Sequence, residues 1–185
     1  GQIIIDGGAF VGTGTLHMAR VVGPQGLVVA LEADPDCYAL LERNVVWNAV
    51  ENVIFLRRAV WKEDAAMDLE KGPAQANTLI KSLSTGGRRS SVRAVHVDGI
   101  VGELGLDRLH MISLTINGAE LEGLEGASTT LEELRPRLRL AGWYQRDGEP
   151  LWKRAAAILN AKKYAVAVSP GGDVLAIPAE RSGEI

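Results

Sequence analysis

The chain has 185 residues, 46% of them hydrophobic and 23% charged, with a net charge of −3 and a single cysteine. These values describe a globular domain large enough to bury a core. They exclude an internal disulfide framework, a cysteine-built metal site, a bilayer-spanning apolar run and the basic surface of a general nucleic-acid binder. No signal-peptide pattern is visible, so the expectation is one domain over residues 1–185, cytoplasmic, with a small molecule as partner and neither nucleic acid nor membrane. No metal site is expected, and the oligomeric state is left open.

In chain order, Ile3–Ile5 reads as a buried strand that ends at Asp6. A glycine-rich turn, Gly7–Gly14, then feeds a helix from Thr15 to about Val22. Glycines let a backbone approach a ligand, and a helix N-terminus offers unpaired N–H groups. No Gly-Lys-Ser/Thr follows, which excludes a P-loop, and Gly-x-Gly-x-x-Gly/Ala spacing fails at His17, which disfavours a nicotinamide dinucleotide. A carboxylate at the strand end suits an ammonium better than a pyrophosphate, and S-adenosylmethionine carries an ammonium. Gly23–Gly26 ends the helix, and Leu27–Leu31 forms a second strand with Glu32 at its tip, where an acid accepts hydrogen bonds from ribose hydroxyls. Asp34-Pro35 caps and starts a helix to about Asn48. Asn52–Leu56 is a third strand, and Arg57–Val60 lies beyond its tip on the edge shared with Asp6 and Glu32.

Residues 61–93 break the pattern and read as a small β insertion, with short runs at Ala66–Leu69 and Thr78–Lys81, loop pieces at Gly72-Pro73 and Ser82–Ser91, and Arg88 and Arg89 on a solvated loop. Val92–Val97 reads as a strand and Asp98 as the cap of a short helix to about Leu104. Leu109–Thr115 is a strand leading through Asn117 and Gly118 into a helix with Leu121, Leu124, Leu131 and Leu134 on one face. Arg135-Pro136 ends that helix, Arg137–Trp143 forms a strand, and Glu149-Pro150 opens a helix to about Ala161. Tyr164–Val168 and Val174–Ile177 are strands joined at Pro170–Asp173, and the tail from Ala179 is expected to fray. Strands alternating with helices and closed by a hairpin predict an α/β fold, mostly parallel with one antiparallel strand.

Two motifs carry a family resemblance. Asp6, Gly8, Ala9, Gly12, Thr15 and Leu16 resemble the Asp-x-Gly-Ala-x-x-Gly-x-x-Thr-Leu signature of FkbM-type S-adenosylmethionine-dependent methyltransferases. Gly118-Ala119-Glu120-Leu121-Glu122, with Leu124 and Gly126-Ala127, resembles that family's Gly-Ala-Glu helix start. Glu32–Pro35, Asn44, Asn48, Asp98 and Arg135-Pro136 also fall where the family has matching residues. The resemblance implies the Rossmann-like class I methyltransferase sheet of seven strands and S-adenosylmethionine as cofactor. Asp6, Gly8, Ala9, Phe10 and Gly12 would hold the methionine part, Glu32 and Ala33 the ribose, Arg58 and Ala59 the adenine, and Thr115 would border the methyl group. It implies O-methylation of a sugar or small-molecule acceptor. The chain departs from the family at the fourth strand's tip, where Thr115 and Asn117 stand in place of two acids. Glu120 remains, so Glu120, Asn117 and Thr115 are the candidate catalytic residues. The loss of charge opens a second reading, a non-catalytic relative that binds the cofactor or a protein partner. Trp143 and Tyr144 are candidate walls of the acceptor pocket. His17, His96 and His110 read as structural.

Overall fold

The computed structural model describes residues 1–72 and 76–184; Pro73 of the expected Gly72-Pro73 loop lies outside them. The elements in chain order are β1 (Ile3–Gly7), α1 (Thr13–Val22), β2 (Leu27–Leu31), α2 (Pro35–Trp47), β3 (Val53–Leu56), β4 (Ala59–Val60), β5 (Ala65–Glu70), β6 (Arg89–Val95), α3 (Val97–Glu103), β7 (Met111–Leu114), α4 (Glu120–Glu125), α5 (Ser128–Glu133), β8 (Arg137–Ala141), β9 (Gln145–Arg146), β10 (Glu149–Pro150), α6 (Leu151–Ala161), β11 (Tyr164–Val168) and β12 (Asp173–Pro178). Seven strands form one sheet in the order β11-β12-β8-β7-β1-β2-β3. All run parallel except β12, which pairs antiparallel with both β11 and β8. This is the class I methyltransferase sheet that the sequence predicts.

The central strands are apolar on both faces because both faces are covered. On one side Ile5, Leu31, Ile112, Leu114, Leu138 and Leu140 pack with Ile100, Leu124, Leu131, Leu151 and Leu159 from the helices of the second half. On the other, Ile4 and Val28 pack with Ala19 and Val22 of α1, while Ala30 packs with Leu41 and Val45 of α2. The cross-strand row Asp6–Ser113–Arg139 lies on this second side, beyond the reach of those helices' apolar stripes.

The insertion is more ordered than its sequence implies. β4, β6 and β5 make a separate three-stranded sheet in which Arg89–Ser91 belong to β6, so those residues are not a solvated loop. Buried Glu70 organises its far end, accepting hydrogen bonds from Ser84 Oγ (2.6 Å), the N–H groups of Thr85, Gly86 and Gly87, and Arg89 Nε. Of the expected run Thr78–Lys81, Thr78 makes an isolated antiparallel bridge to Glu70, and Lys81 opens a 3₁₀ turn, Lys81–Leu83, that extends into the expected loop. The expected long helix after Asn117 is two short ones, α4 capped at Gly126 and α5 starting after Ala127; the chain packs so closely on Trp61 at Gly126 that a side chain there would meet Trp61 O at 2.3 Å. The tail does not fray over its described part. Ala179–Glu184 forms a 3₁₀ turn, and Glu180 pairs with Arg135, which also donates to Lys162 O and Lys163 O.

Asp98 is also corrected. It lies inside the first turn of α3, and its carboxylate instead accepts from Thr129 N (2.9 Å), Thr130 N (2.8 Å) and Thr130 Oγ1 (2.6 Å), capping α5 across the sequence. Burial alone would raise its pKa; the Thr130 and Thr129 donors outweigh that and hold it below the usual value. Asp98→Ala should therefore destabilise the fold by about 1–2 kcal/mol in urea titrations at neutral pH. A lowered carboxylate pKa contributes stability above the unfolded value and loses it as pH falls through the folded one, so the gap between variant and parent should close in acid.

Candidate active site

The carboxyl ends of β1, β2, β3 and β7 surround a cleft of about 250 Å³. Its lining includes Gly8, Phe10, Glu32, Ala33, Arg58, Ala59, Thr115 and Asn117, which are eight of the residues expected from the sequence. Ligands in open α/β sheets bind at this edge, where strand order reverses.

The first turn is stitched to its neighbours before any ligand is considered. Gly8 N and Ala9 N both donate to Leu31 O at 2.9 Å, and Asn44 Nδ2 donates to Val11 O at 2.8 Å. Gly8 has φ +79°, and a Cβ there would stand 2.0 Å from Thr115 O, so only glycine lets β1 and β7 close together at this level. Phe10 is left-handed as well, and its N–H donates to Glu32 Oε2 at 2.8 Å. The other oxygen of Glu32 accepts from Asp34 N at 2.8 Å. Burial raises the pKa of Glu32, and the Asp34 and Phe10 N–H groups oppose the rise. Each carboxylate oxygen keeps a second lone-pair site, so Glu32 can still accept from a diol.

Asp6, Ala9, Gly12 and Glu120 are not among the cleft's lining residues. Asp6 lies behind the turn, where Oδ2 accepts from Thr15 Oγ1 at 2.7 Å and burial pushes its pKa up to about 6. Ala9 packs against Leu41 and Val45, and Gly12 is the left-handed N-cap of α1. Glu120 is fully buried beneath the β7 loop: Oε1 accepts from Ile116 N at 2.9 Å and Oε2 from Gly118 N at 3.0 Å. That geometry makes it a holder of the loop and keeps it from touching a ligand in the cleft. Desolvation pushes its pKa up to about 7 in spite of the Ile116 and Gly118 donors.

Asn117 (φ 53°) joins three segments. Its Nδ2 donates to Asn77 O (2.8 Å), its Oδ1 accepts from Tyr144 OH (2.8 Å), and its carbonyl accepts from Thr78 Oγ1 (3.0 Å). Asn77, Leu79 and Leu69 of the insertion thus become part of the cleft's lining, as does Cys37. The sequence reading missed these four; Asn77 has one local partner, Gly72 N, while the bonds that draw it to the cleft reach 40 and 43 residues away. Beyond the tip of β3, Arg58 makes a two-pronged pair with Glu103, at 2.5 and 2.9 Å. At the other end, Arg139 on β8 places Nη1 3.4 Å from Thr115 Oγ1 and pairs through Nη2 with Asp173 at 3.1 Å. Trp143 is exposed beside Tyr144, and of the pair Tyr144 is the one tied to the cleft, through Asn117.

The model of a family described as the methyltransferase FkbM domain matches residues 6–166. "Methyltransferase 1" of Beauveria bassiana (strain ARSEF 2860) is 25% identical over 187 residues, covering 90% of this chain and 74% of that one. The crystal structure of Methyltransferase FkbM from Methylobacillus flagellatus KT aligns with a TM-score of 0.66 at 16% identity, over 95% of this chain and 43% of that one. The chain thus spans less than half of that protein's length. Aeropyrum pernix fibrillarin, solved with natively bound S-adenosyl-L-methionine, aligns with a TM-score of 0.58 at 13% identity, over 96% of this chain and 66% of that one. At these identities the solved structures establish the fold.

The buried acids set a pH test. Because the folded pKa of Glu120 rises from 4.5 to about 7, its contribution favours the fold below the unfolded value and is lost as pH rises through about 7. The denaturant midpoint of the parent chain should fall between about pH 5 and pH 8. Glu120→Gln should flatten that fall, leaving the part due to Asp6 and Glu32, whose pKa values burial also raises. In acid the variant should be less stable by about 1–3 kcal/mol, because its amide nitrogen faces one of the two N–H donors.

Proposed function

Since the chain belongs to the methyltransferase FkbM domain family, we propose that it transfers a methyl group from S-adenosylmethionine to an oxygen of a small-molecule or glycan acceptor. The observation that carries this reading is Glu32. It stands half-buried at the tip of β2, clamped by two backbone N–H groups, and faces a cleft walled by Ala33, Ala59, Val60 and Leu79. A fixed carboxylate beside an apolar slot suits the hydroxyls and base of an adenosine. The fibrillarin of the same fold is solved with this methyl donor.

When bound, S-adenosylmethionine supplies a methyl group on a sulfonium, ready for in-line displacement. The chain's own contribution is position. Glu32 would accept from the ribose, while Ala33, Arg58 and Ala59 border the adenine. The turn at Gly8 and Phe10 brings backbone to the sulfonium side. Asp6 would act through the turn, fixing Thr15 and placing negative potential beneath the ammonium. Thr115 and Asn117 border the side left for the acceptor. Their lack of charge favours one second reading, cofactor binding without turnover.

Calorimetry with S-adenosylhomocysteine tests the first claim. Binding should weaken roughly tenfold to hundredfold in Glu32→Ala, the loss expected for hydrogen bonds to a charged group. An unchanged affinity, or no binding to the parent chain, would sink the reading. Release of S-adenosylhomocysteine in an acceptor screen then separates the enzyme from the non-catalytic relative.

A further inference from the structure

Among the described residues that line the cleft, none is placed to take a proton from a hydroxyl. Three of their side chains ionise: Glu32, Cys37 and Arg58. Glu32 is committed to two backbone donors at the ribose end. The Cys37 thiol is pushed up to about 11, chiefly by burial and then by the charges of Glu32 and Asp34. Arg58 is a cation paired with Glu103. Tyr144 donates its proton to Asn117 Oδ1, and burial raises its pKa further. Glu120 and Asp6 are close by but sealed behind backbone.

The charge that does stand at the acceptor side is positive. Arg139 lies on the same sheet face as Asp6 and Ser113, and its side chain rises to Thr115 at the cleft's edge. Its side chain keeps 40% of its exposure. Nη2 is engaged by Asp173, whereas the 3.4 Å contact of Nη1 with Thr115 Oγ1 is too long to satisfy a donor well. A guanidinium with an under-used edge is a carboxylate receptor.

We propose that the acceptor is a carboxylate, docked by Arg139 beside Thr115 and methylated on oxygen to give an ester. The inference rests on the methyl-donor reading of the cleft. A carboxylate oxygen is already ionised at neutral pH, so it needs no base. Its lone pair forms the new C–O bond as the methyl carbon–sulfur bond breaks, and that bond's electrons stay on sulfur as a neutral thioether. No proton moves, and the acceptor's negative charge cancels the sulfonium's positive one. The absence of a base and the presence of Arg139 are thus two sides of one design.

The test uses the full chain, methyl-tritiated S-adenosylmethionine, and benzoic, octanoic and glucuronic acids, each paired with benzyl alcohol, octanol or glucose. Esters are recognised by volatile methanol released on mild alkaline treatment, which ethers resist. At least one acid should be methylated while its alcohol is not. Arg139→Ala should raise that acid's KM at least about tenfold, with a smaller change in kcat and unchanged S-adenosylhomocysteine affinity, and Arg139→Lys should recover much of the loss. Base-stable products from the alcohols with the acids inert would overturn the inference. So would intact S-adenosylhomocysteine binding with no acid turned over, which leaves the donor reading standing. Equal weakening of donor and acceptor in Arg139→Ala would overturn it too, because the guanidinium would then read the donor's own carboxylate. Failure of the parent chain to bind S-adenosylhomocysteine defeats the donor reading itself, and this inference with it.

Discussion

The β7 side of the cleft depends on one buried carboxylate. Glu120 sits beneath a loop whose backbone turns left-handed at Asn117 and Gly118, and it accepts the N–H groups of Ile116 and Gly118. Without it two donors would be buried unpaired, at a penalty of about 1–3 kcal/mol each. Held in that shape, the loop presents Asn117 to Asn77, Thr78 and Tyr144. The insertion is thereby fastened across the cleft, and Leu83 fills the space left by the missing side chain of Gly118. One charge that never meets the ligand shapes the wall that does.

Glu32 and Glu120 show how burial alone does not assign a role. Glu120 is fully buried and Glu32 half-buried, yet desolvation raises the pKa of both, and both hold two backbone donors. They differ in what lies on the open side. Glu32 faces the cleft and retains acceptor capacity toward it, while Glu120 is enclosed by α4 and the loop. Their place relative to open space separates a ligand-facing carboxylate from a structural one, and distances along the sequence cannot report that.

Legibility in the sequence followed the same division. Leu27–Leu31 was read to the residue and α2 from its Asp34-Pro35 start, because strand burial and helix capping are local. The first turn and Glu32 were legible for the same reason. Asp98 was misread because its cap serves a helix 30 residues on, and a side chain's partner across space leaves no periodic trace. The hairpin at Asp147-Gly148 has the turn pair for it, with φ 55° and 80°, but two-residue strands carry no alternation to confirm it. Arg139 left a trace that went unused. In β8 the sequence alternates Arg137, Leu138, Arg139, Leu140, so one face of that strand is charged beside the site.

That alternation bears on the chemistry of the cleft as a whole. At the β2–β3 end of the cleft Arg58 is offset by Glu103, and Glu32 is a carboxylate held by two backbone dipoles. A sulfonium brings its own positive charge into this space, and a low-dielectric cleft amplifies whatever faces it. Acids at positions 115 and 117 would stabilise that cation in the ground state as well as serve as bases, and stabilisation shared by ground and transition states does not speed transfer. With Thr115 and Asn117 neutral there, the proposed carboxylate acceptor would bring its own negative charge to the transfer. On that proposal the guanidinium of Arg139, tethered to Asp173 on one edge and loosely met on the other, would receive it.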